Sequence, residues 1–276
     1  MTNPSTQTPA DARVLPASQR GAEIIDLVTR AGGSMRIQSI AEALNVSEET
    51  VRRNVRRLSD EGLVRKVHGG VLLQHGSTEL NFAQRMAENP VPKQRIAAHV
   101  AGLISDGSSL FLDVGSTTAF IAEALRAHQE LLVVTNSVAV AYSLAARNNN
   151  RVFMPGGELR GHDGGVFGAN VLDFVRQFRT DFAVLSAAAI NARNGFMLFD
   201  MEEALYSRAI MANSTTRILA ADNSKFGRTA PIAIGPPASV DLLICDAPPP
   251  EDIREAAQGW GTEIAVADMA GGKVRD

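Results

Sequence analysis

From about residue 94 onward the chain alternates two textures, and that alternation narrows the possible folds more than any other feature. Short apolar runs at 109–114, 131–135, 151–154, 182–188, 217–221 and 241–246 read as buried strands. Helical patterns at 94–104, 117–127, 138–147, 169–178 and 201–214 fall between most of them. Runs that are apolar throughout, rather than at every second residue, need cover on both faces. Strand–helix alternation of this kind predicts a parallel sheet with helices on both sides, a Rossmann-like α/β domain.

The preceding residues have a different grain. Residues 1–17 are rich in Thr, Pro, Ser and Ala and lack a basic segment followed by an apolar one, so they read as a disordered arm rather than a secretion signal. Residues 18–75 read as three short helices and a Gly-punctuated hairpin, and 76–93, marked by Pro90 and Pro92, as a linker to an effector domain over 94–276. No apolar stretch approaches the roughly 18 residues that cross a bilayer, which predicts a cytoplasmic protein with no membrane partner. The single cysteine, Cys245, sits in an apolar run and reads as a small buried hydrophobe. No Cys/His set has metal-ligand spacing, so no metal and no cofactor is expected.

With a net charge of −3, any contact with nucleic acid has to be local. The arginines show where. After apolar positions for one helix (Ile24, Ile25, Leu27, Val28) and a second (Ile40, Ala41, Leu44), Ser47 is suited to cap a third, with Glu48 and Glu49 in its first turn. On that third helix Arg52, Arg53, Arg56 and Arg57 span about 140° of the wheel, opposite Val51, Val55 and Leu58. Acids flank the arginines in the sequence, so the basic face is expected to be free of i,i+4 partners. The hairpin after it, Leu63 to Leu72, brings its own cations in Arg65 and Lys66 and reads as a wing. Arg52 and Arg56 are candidates for guanine edges, Ser47 and Thr50 for the phosphates, and Arg65 and Lys66 for the DNA backbone.

The run Val46-Ser47-Glu48-Glu49-Thr50-Val51-Arg52-Arg53, with Gly62-Leu63-Val64-Arg65 and His68-Gly69-Gly70, resembles the DNA-binding signature of DeoR-type transcription regulators. The resemblance implies a winged helix-turn-helix with its third helix in the major groove of operator DNA, and it adds His68 to the candidate contacts. Asn54 departs from the aspartate usual in the family after the paired arginines, removing a possible clamp on Arg53 or Arg57.

In the C-terminal part, Asp113-Val114-Gly115-Ser116-Thr117-Thr118 ends one strand and opens a helix. Such a turn gathers backbone N–H groups, hydroxyls and a positive helix end, which suits a phosphate. Asn136-Ser137 and Gly156-Gly157 follow the next two strands, at the edge where parallel sheets bind ligands. Asp222 and Lys225 follow a later one, a carboxylate for hydroxyls and a cation for phosphate. Asp113, Asp200, Glu202 and Glu203 can equally be hydroxyl acceptors for a ligand or structural carboxylates. The same segments resemble the sensor domain of DeoR-type regulators, which is similar in fold to sugar-phosphate isomerases. A narrower likeness, to the glycerol 3-phosphate-responsive branch, rests on Gly156-Gly157-Glu158-Leu159-Arg160, Asp163-Gly164-Gly165, Leu172-Asp173-Phe174 and Asp246-Ala247-Pro248-Pro249-Pro250. It implies glycerol 3-phosphate as the effector, Arg160 in the pocket, and repression of glycerol catabolism genes relieved by the metabolite. Ser186, Ala189 and Asn191 depart from the glycines and the aspartate that the family tends to have there.

A rival reading is a sugar-phosphate isomerase fused to a DNA-binding domain. Isomerisation needs a carboxylate base beside the substrate carbon, which Asn191 cannot supply, and the five histidines form no catalytic set. The expected protein is therefore a regulator and not an enzyme. Because one recognition helix gives little specificity, it is expected to act as a homo-oligomer on repeated half-sites.

Overall fold

The computed structural model describes residues 19–31, 34–60, 63–67, 69–73 and 82–267. The chain divides into two compact units, Met1–Thr78 and Glu79–Asp276. The expected arm at 1–17 lies outside the described residues.

The first unit contains α1 (Gln19–Arg30), β1 (Ser34–Arg36), α2 (Ile37–Leu44), α3 (Glu48–Asp60) and the hairpin β2 (Val64–Val67) and β3 (Gly70–Leu73). Ile24, Val28, Ile40, Val51, Val55, Leu58, Val64 and Val71 close into one core. Full burial of side chains such as Val51, Val55 and Leu58 stabilises by about 1.5–3 kcal/mol each. The corner between α2 and α3 turns on Asn45, whose left-handed backbone (φ 51) lets its N–H reach the carbonyls of Ala41 and Glu42. The hairpin turns at Gly69, with φ +72, a conformation that a side chain strains. One feature was not foreseen: β1 pairs antiparallel with β3, so the wing is a three-stranded sheet in the order β1-β3-β2.

The second unit begins with α4 (Phe82–Ala87) and α5 (Pro90–Leu103). This corrects the reading of 76–93 as a linker, at least from residue 82. Pro90 opens α5 at a first-turn position, where its missing N–H has no helical partner to lose. There follow β4 (Ser109–Leu112), α6 (Ser116–Ala124), β5 (Leu132–Thr135), α7 (Val138–Leu144), β6 (Arg151–Phe153), α8 (Ala169–Val175) and β7 (Thr180–Ser186). After the short strands β8 (Ala189–Asn191) and β9 (Gly195–Leu198) come α9 (Met201–Met211), β10 (Ser214–Ala220), β11 (Ile232–Ala233), β12 (Leu242–Cys245), α10 (Glu251–Trp260) and β13 (Glu263–Val266). Seven strands pair in parallel in the order β13-β12-β10-β7-β4-β5-β6, and β11-β9-β8 form a small antiparallel sheet beside them. Period-two alternation supplies both faces from one apolar run: Leu110 and Leu112 pack into one core while Phe111 packs into the other. Cys245 is buried and free, and burial pushes its thiol up to about 12.

The strand order reverses beside β4. From β4 the chain moves outward through β5 to β6, then returns to place β7 on the other side. The ends of β4 and β7 therefore border the crevice where open α/β sheets take ligands.

Candidate nucleic-acid interface and effector site

On α3 the arginines form two pairs on two flanks. Arg52 and Arg56 line a groove with Arg36, Lys66 and the hairpin turn, while Arg53 and Arg57 line another with Arg20 and Thr50. Arg53 and Arg56 are exposed, and among the described residues no hydrogen bond or ion pair reaches either. Arg52 departs from the expectation of an unpaired face: its Nη2 meets the Glu48 carboxylate at 2.5 Å, one helical turn back. Both side chains are half exposed, and such pairs are worth about 0.3–0.5 kcal/mol, so a DNA phosphate can displace Glu48. Arg57 is half-buried, with its Nη2 3.4 Å from Asn54 Oδ1, while the Asn54 amide donates to the Thr50 carbonyl at 2.8 Å. The asparagine thus still touches Arg57, though without the charge an aspartate would add.

Ser47 caps the helix as expected, accepting from the Thr50 N–H at 3.3 Å and sharing a 2.9 Å hydrogen bond with the Thr50 hydroxyl. Lys66 is exposed on β2; the Arg65 side chain and His68 lie outside the described residues. Arg20 and Arg36, which share the two grooves, were missed because only the fold brings them beside α3.

In the second unit the polar residues gather at the switch crevice. Asp113 follows β4 and is 5% exposed. Its Oδ2 accepts from the Ser186 N–H at 2.9 Å, tying the end of β4 to the end of the neighbouring β7, while its Oδ1 has no partner. Burial pushes the Asp113 carboxyl up to about 8, against that hydrogen bond. Thr118 donates to the Asp113 and Gly115 carbonyls and fixes the turn. Ser116 and Thr117 are buried beside it. Gly115 is required by packing: a Cβ there would stand 2.4 Å from Ser186 Oγ.

Two further buried groups lack partners, Asn136 Oδ1 and the Tyr206 hydroxyl. Burial and the nearby Asp113 carboxyl push the Tyr206 hydroxyl above its usual range. Ser137 is committed to capping α7, accepting from the Val140 N–H at 3.4 Å. Gly156 and Gly157 are exposed, and a Cβ at Gly157 would lie 2.7 Å from Val166.

Arg160 and Glu203 are brought together, but on each other. The Arg160 guanidinium meets Glu203, Asp163 at 2.5 Å and Asp200 at 3.3 Å, and stacks 4.0 Å from the Phe167 ring centroid. Burial opposes the charge, but Asp163 and Glu203 outweigh it and hold Arg160 above its usual range. Among the described residues His162, Asp163 and Glu203 have the spacing of metal ligands, yet the guanidinium already occupies both carboxylates and would repel a cation.

Asp222 is buried and caps a 3-10 turn, Asn223–Lys225; its Oδ1 accepts from Ser224 N–H and from the Asn89 amide, both at 3.1 Å. Burial would raise its carboxyl, but the Ser224 hydrogen bonds and the charge of Lys225 hold it below the usual range. Sequence reasoning missed Lys93, which is 2% exposed and donates to the Arg85 and Glu88 carbonyls at 2.5 and 2.8 Å. Burial pulls the Lys93 ammonium down to about 8 despite Asp222. Arg85 and Lys93 fell in the stretch read as linker. Tyr206 stands three residues after Glu203 on α9, a spacing that placed it on the same face and could have flagged it.

Comparison with known proteins follows this division. Residues 20–76 match the DeoR-like helix-turn-helix domain and residues 88–247 the DeoR C terminal sensor domain. The chain is 38% identical over 238 residues to the glycerol-3-phosphate regulon repressor of Escherichia coli (strain K12), covering 86% of this chain and 94% of that one. It is 36% identical over 252 residues to the HTH-type transcriptional repressor CsqR of the same organism, covering 91% and 96%. Among solved structures, ribose 5-phosphate isomerase A from Methanocaldococcus jannaschii overlaps 50% of this chain and 55% of its own, at 17% identity and a TM-score of 0.36. Likeness that partial says nothing of chemistry.

Proposed function

The chain belongs to the DeoR family of transcription regulators, and from that premise we propose that it is a repressor that leaves its operator when glycerol 3-phosphate enters the crevice at the ends of β4 and β7. Its relatives are named transcriptional repressors, and it is a regulator rather than an enzyme. The observation that carries the sensing half is a buried set of polar atoms without partners: Asp113 Oδ1 after β4, Asn136 Oδ1 after β5 and the Tyr206 hydroxyl of α9. Buried polar atoms without partners are costly, and hydroxyls of a bound polyol would satisfy them. Lys225 and the Ser116-Thr117 turn supply the surroundings for a phosphate. The name of the relative in Escherichia coli (strain K12) favours glycerol 3-phosphate over other phosphorylated polyols and sugars.

On the DNA side, Arg53 and Arg56, with Arg52 once released from Glu48, enter the major groove. Lys66 holds the backbone, adding affinity and salt dependence. Two or more copies bind half-sites about one helical turn apart, or a multiple of it. Ligand and operator oppose each other by about 1–3 kcal/mol, which is roughly 5–150-fold in operator affinity.

The test is a fluorescence-anisotropy titration of the complex with the gene's own upstream region, using glycerol 3-phosphate and, separately, fructose phosphates. Release by glycerol 3-phosphate alone is expected. Release only by a fructose phosphate would reassign the effector, and no release by any would overturn the sensing reading.

A further inference from the structure

Arg160 is tied to Asp163, Asp200 and Glu203, so of the cations expected in the pocket only Lys225 is left to face a phosphate. One ammonium does not balance a dianion beside the Asp222 carboxylate. The missing charge lies on α4 and α5. Arg85 is 8% exposed, and its charge acts on Asp113 and on Lys93. Lys93 in turn faces Asp222 and Lys225. The helices are anchored here through their polar groups. Lys93 holds carbonyls at the C-terminal end of α4, where a helix leaves acceptors unpaired. Asn89, in a left-handed conformation (φ 46), makes the corner and donates to Asp222. At its other end α4 is held by the Phe82 N–H, which donates to the His162 carbonyl at 3.1 Å, and its side packs on α6, the helix that opens at Ser116.

We infer that Arg85 is a direct ligand of the effector's anionic group and that the α4–α5 corner, Arg85 through Lys93, is the element that senses occupancy of the crevice. The inference rests on the sensing reading above and adds residues to it. A guanidinium offers a fork of donors that matches two phosphate oxygens, and Lys93 keeps that fork's backbone in place. A ligand that takes up Arg85 and Asp222 competes with the Asn89–Asp222 hydrogen bond and shifts α4. That helix is the first described element after the DNA-binding unit in the chain.

The test uses the full chain and two readouts, calorimetric binding of glycerol 3-phosphate, with inorganic phosphate as the minimal probe, and operator binding by anisotropy with and without ligand. R85Q is expected to weaken ligand affinity at least about tenfold, R85K to fall between, and both to bind operator normally without ligand. N89A is expected to bind ligand nearly as the parent does, but to lose most of the ligand-induced fall in operator affinity. Parental ligand affinity in R85Q, or in R85K should R85Q fail to fold, overturns the role of Arg85. Full release in N89A overturns the role of the corner. If the parent protein itself binds neither probe, the sensing reading fails, and that result is distinct from both.

Discussion

On α3, Arg53 and Arg56 stand in water with no partner among the described residues, whereas in the sensor unit Lys93 is 2% exposed, Arg85 is 8% exposed, and Arg160 is shared among three carboxylates. The same cations serve opposite ends. An exposed guanidinium is cheap to maintain and ready for any phosphate that approaches, so the DNA face works by long-range attraction that salt can screen. A buried ammonium has lost its hydration and must be held by carbonyls or carboxylates. It becomes available to a ligand only when those partners rearrange, whereas the exposed guanidiniums of α3 can meet a phosphate or a base edge without rearrangement.

The contrast breaks most decisively at α3. Replacing both Arg53 and Arg56 by Ala should abolish operator binding, each guanidinium contributing about 1–3 kcal/mol. Glycerol 3-phosphate binding, read by calorimetry, should be unchanged. Operator affinity at the parental level in anisotropy would mean that the exposed arginines are not the reading surface.

Next in size is Gly115→Ala. The new methyl meets Ser186 Oγ, and overpacking of this kind costs about 1–3 kcal/mol in thermal unfolding of the sensor unit. Ser186→Ala, by removing that oxygen, should recover much of the loss when combined with it. Strict additivity of the two would show that the turn and β7 do not press on each other.

A pH series sharpens the account of the buried site. Asp113 has a folded pKa of about 8, above its ordinary value near 3.8, so the folded state binds this proton more tightly than the unfolded state does. Its contribution is present in full below about pH 4 and is lost as the pH rises toward 8. Lys93 acts in a separate window, since its depressed value of about 8 against 10.5 returns stability only above pH 8. Asp113→Asn should therefore flatten the decline in melting temperature between pH 5 and 8. Parallel melting curves for the two proteins would remove Asp113 from the scheme. The smallest effect is expected at the surface: Glu48→Ala should change stability by no more than about 0.5 kcal/mol and leave operator affinity equal or higher, because Arg52 is set free.

What could be read in advance follows the same division between exposed and buried. The apolar runs predicted six of the seven strands of the parallel sheet, all but β13, because a doubly covered strand carries its burial in its composition. The recognition helix was legible because arginines opposite Val51, Val55 and Leu58 leave no other amphipathic reading. The interior of the site was less visible. Pro90 and Pro92 suggested a linker, but a proline in the first turn of a helix is equally at home, and only tertiary packing distinguishes the two. Lys93 and Arg85 gave no sign of burial, since charged side chains are seldom buried without partners, and the Lys93 ammonium is held by backbone carbonyls, on which sequence is silent. Arg160 was expected in the pocket on resemblance alone, and its engagement with Asp200 and Glu203 spans about forty residues and has no local trace. The small sheet β11-β9-β8 went unforeseen because strands of two to four residues carry too little pattern.

The reversal of strand order beside β4 has a consequence for how such a receptor can diversify. The proposed site would take its floor from the tips of β4 and β7, some seventy residues apart in the chain, and its walls from the separate connections that follow β5, β6 and β10 at the same sheet edge. Each wall can lengthen, shorten or change its side chains without disturbing the register of the central strands. New metabolites can thus be recruited as signals one loop at a time, while the scaffold beneath keeps its stability.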